Sequence, residues 1–74
     1  MHHTETDRRT AARHVAEGEA RVERQIALID RMSAHGHDTA GAESVLATMQ
    51  ITLMHFRDHL ALIEADLRSP GSNA

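Results

Sequence analysis

The sequence predicts an all-α protein, a two-helix antiparallel hairpin of coiled-coil character, and three observations predict it. The 74 residues hold a single aromatic, Phe56, and one proline, Pro70, so long stretches run without a helix breaker. Those stretches are rich in Ala, Glu, Arg, Leu and Met, the strongest helix formers, and no run alternates with the period of two that a strand requires. Apolar residues instead recur in a heptad, and the pattern is interrupted once, at "AHGHDT" (residues 34–39).

The first helix is read over residues 7–34. Val15, Val22 and Ile29 recur at intervals of seven with Ile26 and Met32 beside them, while Ala11, Ala12, Ala16 and Gly18 make its N-terminal end thin in volume. A bend over residues 35–38 comes next. Gly36 falls where a left-handed residue ends a helix, His35 lies in the last turn, and Asp38 and Thr39 are ordinary N-cap choices for a second helix. Every polar residue of the bend therefore has a capping or solvated role without a ligand.

The second helix is read over residues 39–68, and its period is cleaner. Leu46, Leu53, Leu60 and Leu67 recur every seven residues, with Met49, Phe56 and Ile63 three places after the first three. Residues 1–6 and 69–74 are read as flexible ends. Two helices of equal length joined by a few residues must lie antiparallel.

A lone hairpin covers only one side of each helix. Leu28 on helix one and Ile51, Met54 and Leu62 on helix two form a second apolar face, with Ala20, Ala27, Ala47 and Ala61 near them. That surplus predicts a homodimer, two hairpins joined into a four-helix bundle, with the apolar face also available to another protein.

Composition removes several function classes. With no cysteine there is no disulfide framework, thiolate metal site or cysteine nucleophile. All eight basic residues are Arg and the net charge is −3, the wrong balance for nucleic acid; Arg8, Arg9 and Arg13 cluster but are diluted by Glu5 and Asp7. The N-terminus lacks the apolar stretch of a secretory signal, and no run approaches the ~20 apolar residues of a membrane span, so a cytoplasmic protein is expected. No nucleophile-base arrangement or phosphate-cradling glycine loop is legible, so no enzymatic activity and no cofactor is expected.

Two histidine readings stand as alternatives to pure protein–protein interaction. His55 and His59 in "HFRDH" are four apart on one helix face, a metal-binding spacing, and Glu17 on the facing helix is the carboxylate that would complete the set. His14, on helix one, gives the chain some likeness to the dimerisation and phosphoacceptor domains of sensor histidine kinases. Those domains place an acidic residue directly after the histidine and a proline soon after, whereas here Val15 follows and no proline does.

With "HVAEGEARVERQIALIDRM", "GHDTAGAESVLATM" and "LMHFRDHLALIE", the chain resembles a group of short uncharacterised bacterial helical-hairpin proteins, frequent in alphaproteobacteria, that share an AEGEARV-like first helix and a GHDT bend. The likeness spans residues 13–64. It implies the hairpin, and it brings no catalytic, metal or binding residue with it.

Overall fold

The computed structural model describes residues 3–68. Two helices, α1 (Glu5–Ala34) and α2 (Ala40–Arg68), pack along their whole length, joined by residues 35–39. The hairpin is a rod of 61 × 16 × 13 Å with a radius of gyration of 17.1 Å, against about 11 Å for a compact globule of this length. Its shape arises from having one seam and nothing on either side of it.

α1 begins two residues earlier than the hydrophobic period suggests, and its cap explains why. The Thr4 hydroxyl accepts from the backbone N–H of Asp7 at 3.1 Å, and the Asp7 carboxylate accepts from the backbone N–H of Thr4 at 3.0 Å, which closes a capping box. The expected flexible segment 1–6 is corrected accordingly for residues 3–6; Met1 and His2, like residues 69–74, lie outside the described residues. In the first turn Arg8 donates to both Glu5 oxygens, at 2.6–3.1 Å. That hydrogen bond holds the Glu5 carboxyl below its ordinary value against a smaller opposing desolvation, and the charges of Arg8 and Arg9 add to it.

At the other end α1 stops in a Schellman motif. The N–H of His37 donates to the Met32 carbonyl at 2.9 Å and that of Gly36 to the Ser33 carbonyl at 3.0 Å, with Gly36 at φ +74°. The His35 ring Nδ1 donates to the Arg31 carbonyl at 2.7 Å, so this histidine is also part of the cap. α2 then starts one residue later than read from the sequence. Asp38 accepts from the N–H of Ala40 at 3.0 Å, and the Thr39 hydroxyl donates to Glu43 at 2.8 Å.

The seam of α2 keeps to its heptad: Leu53 and Ile63 are buried, and Leu46, Met49, Phe56, Leu60 and Leu67 are half-buried. On α1 the seam runs through Ala11, Val15, Gly18, Val22, Gln25, Ile29 and Met32, all buried or half-buried. Here the sequence reading of Ile26 as a seam residue is corrected. Ile26 is 43% exposed, and Gln25 takes the seam position one residue before it. The heptad phase shared by Ala11, Gly18 and Met32 runs through 25, and the amide of Gln25 is satisfied there because its Nε2 donates to the Ala42 carbonyl at 2.8 Å. Of the small residues that make α1 look thin, Ala11 and Gly18 are the most deeply covered residues of the helix, while Ala12 is half-buried and Ala16 exposed. A methyl group placed on Gly18 would stand 3.1 Å from Leu53 Cδ1 and 3.7 Å from Phe56 Cδ2, so the α1 backbone itself is the surface against which α2 packs.

Three outcomes are expected from this arrangement. Gly18→Val forces a branched side chain into space held by Leu53 and should cost about 1–3 kcal/mol in urea unfolding. Gly36→Ala, strained by its positive φ, should cost about 1 kcal/mol by the same measurement. The contribution of the Glu5–Arg8 pair is present above the ordinary glutamate pKa and disappears as pH falls through the lowered folded-state value. By NMR titration Glu5 should therefore titrate below the usual glutamate range, and Arg8→Ala should return it toward that range.

Candidate functional site

The histidines are distributed along the rod rather than gathered. His55, His59 and Glu17 are all exposed, and among the described residues no group of three or more His, Asp or Glu side chains is placed to hold a metal ion. His59 instead faces the N-terminal end of the chain, edge-on to His3 at 6.2 Å between ring centroids. His3 is tied to the far end of α2: its backbone N–H donates to Asp66 Oδ2 at 3.0 Å, and its Nδ1 lies 3.3 Å from the same oxygen. This clasp joins residues 63 apart in sequence and closes the open end of the hairpin.

His14 is not a free-standing helix histidine. It is half-buried, its ring 5.4 Å from that of Phe56 and tilted by 37°. The geometry is that of an offset aromatic pair, and it places an imidazole over the same part of α2 that covers Gly18. His35 and His37 sit 6.4 Å apart within the turn, where the first serves the helix cap. The motif that looks most like chemistry in the sequence is thus a helix terminus.

Charged side chains likewise do structural work. Arg57 reaches Glu19 at 2.9 Å across the two helices, an exposed ion pair of the kind worth a few tenths of a kcal/mol. Among the described residues, Glu17–Arg21 and Glu64–Arg68, the i, i+4 pairs legible in sequence, are not closed as ion pairs. No described helix is long and apolar enough to cross a membrane.

What remains is surface. Leu28, Ile51, Met54 and Leu62, the second apolar face read from the sequence, are all exposed, and Val45 joins them. On α2 the exposure is large: 55% for Ile51, 51% for Met54 and 67% for Leu62. An open groove of about 270 Å³ also runs beside the seam, floored by Gly18, Leu53 and Phe56 and edged by Val45, Thr48 and Thr52. Against this, Ala11, Leu53 and Ile63 are the buried hydrophobic residues among those described. The accessible surface is 5405 Å², whereas a compact monomer of 8.2 kDa exposes about 4,500 Å². The difference follows from the elongated shape of a rod with a single seam.

Sequence reasoning missed Val45, the His3–Asp66 clasp and the His14–Phe56 pair. The last two depend on which α1 residue lies opposite which α2 residue, and no local signal reports that. Comparison of the chain with protein-family models, curated proteins and solved structures finds no match to any of them.

Phe56 is the sole Phe, Tyr or Trp in the chain, so its ring current has a clean readout. The ring protons of His14 should be shifted upfield relative to those of the exposed His55, and Phe56→Leu should abolish that difference while the chain remains helical.

Proposed function

We propose that this chain is a non-catalytic helical hairpin that works through protein–protein interaction, first of all with a second copy of itself. The observation that carries the reading is the imbalance between a thin core and large apolar side chains left in water on α2. A chain of this size burying so little gains only a few kcal/mol from its own seam, and hairpins of this kind are stabilised by association. Two copies related by a two-fold axis form a four-helix assembly and cover the exposed face of each. A small regulatory or adaptor role suits such a scaffold, with the assembled faces offered to another protein. Nothing in its charge recommends nucleic acid as that partner.

Gel filtration with light scattering tests the reading, run once with EDTA and once with added Zn²⁺. The expected mass is twice the 8.2 kDa of the chain, the same in both runs. A monomer in both would overturn self-association. A dimer seen only with Zn²⁺ would transfer the function to the histidines.

A further inference from the structure

The outer face of α2 carries more than scattered apolar residues. Ile51, His55, Asp58 and Leu62 are all exposed and are spaced four, three and four apart, so they form a second heptad stripe. At 100° per residue this stripe lies about 160° around the helix from the seam that faces α1. α2 thus has two opposed faces, one already filled by α1 and one filled by nothing in the hairpin.

The residue order along that stripe is self-complementary. Read toward the C-terminus it runs apolar, imidazole, carboxylate, apolar; read backwards against itself, each residue meets an apolar or hydrogen-bonding partner. We infer that two copies pair α2 against α2 in antiparallel fashion, with the two-fold axis passing between positions 56 and 57. Ile51 then lies opposite the partner's Leu62, and His55 opposite the partner's Asp58, each contact occurring twice. This is the alternating layer arrangement of an antiparallel helix pair, continued outward by Thr48 against the partner's Ala65.

This pairing rests on the homodimer reading and specifies its surface. Two observations favour a second copy as the occupant. First, the stripe matches itself in apolar character and in hydrogen-bonding character, imidazole against carboxylate. Second, neither His55 nor Asp58 makes a hydrogen bond or ion pair among the described residues. A polar pair at the centre of an otherwise apolar stripe also fixes register and orientation, since any slip leaves histidine and carboxylate facing aliphatic carbon. The four helices then lie in one layer with the two α2 helices at its centre, rather than around a single shared core.

The test uses the full chain in sedimentation equilibrium, with circular dichroism to confirm that each variant keeps its helicity. Because the substituted side chains are exposed, the single hairpin tolerates their replacement. Wild type should be a dimer, and Ile51→Glu and Leu62→Glu should each be monomeric. His55→Asp, which sets carboxylate against carboxylate, and Asp58→His, which removes the carboxylate acceptor, should each weaken association roughly tenfold or more. The double exchange H55D/D58H should recover it to within about threefold of wild type. Orientation is read by disulfide formation, since the chain has no native cysteine. Ile51→Cys mixed with Leu62→Cys should cross-link, and neither should cross-link alone, because like positions stand about 16 Å apart along the pair.

A wild-type monomer overturns both the dimer and this surface. A dimer that survives both glutamate variants overturns the surface alone and leaves the groove beside Gly18 as the interface. Failure of the double exchange to recover association, or self-linking of the Ile51→Cys chain, overturns the antiparallel register.

Discussion

The close approach of the two helices at Gly18 is the constraint on which the other features depend. With no side chain there, Leu53 and Phe56 rest on the α1 backbone, and this sets the longitudinal register of the hairpin. Toward the bend, that register brings Gln25 to the carbonyl of Ala42; toward the open end, it brings His14 onto Phe56 and His3 to Asp66. Polar contacts at both ends of the rod are consequences of one apolar contact near its middle. A Gln in the seam is tolerated because the α2 terminus offers it an acceptor at that position.

The ends are built to a different rule. Each terminus of a helix leaves backbone groups without partners, and in a two-helix rod no neighbouring element is available to satisfy them. The chain therefore supplies its own: Thr4 and Asp7 at the start of α1, the Gly36 motif and His35 at its end, Asp38 at the start of α2. This is why the polar cluster at the turn serves backbone geometry in part: the His35 ring and the Asp38 carboxylate bond main-chain groups, and His37 contributes its backbone N–H.

A single seam has a cost in exposed apolar surface. Each helix can bury one stripe against the other, and any further apolar residue stays in water until something else arrives. α1 leaves Ile26 and Leu28 partly exposed on an otherwise largely charged exterior; α2 leaves more, with Val45, Ile51, Met54 and Leu62 all exposed. The asymmetry between the helices is the physical basis for reading α2 as the associating element, and it makes the histidines and carboxylate interleaved among those residues part of a surface rather than of a pocket.

The sequence by itself determined the two helices, the place of the turn and the phase of α2, because these depend on local propensity, capping chemistry and a heptad rich in leucine. It also showed that apolar residues exceed what one seam can hold. Only the tertiary structure decided the phase of α1. There the bulkier Ile26 looks the better core residue, yet Gln25 occupies the seam, since the small residues Ala11 and Gly18 set where the helices touch and carry that phase onward. Likewise no local signal pairs His14 or His3 with anything, and once the helices are aligned they meet Phe56 and Asp66. Local pattern reports which face of a helix is apolar. It does not report how far one helix slides along another, and that displacement is set by the closest contact, here a glycine that contributes no hydrophobicity of its own.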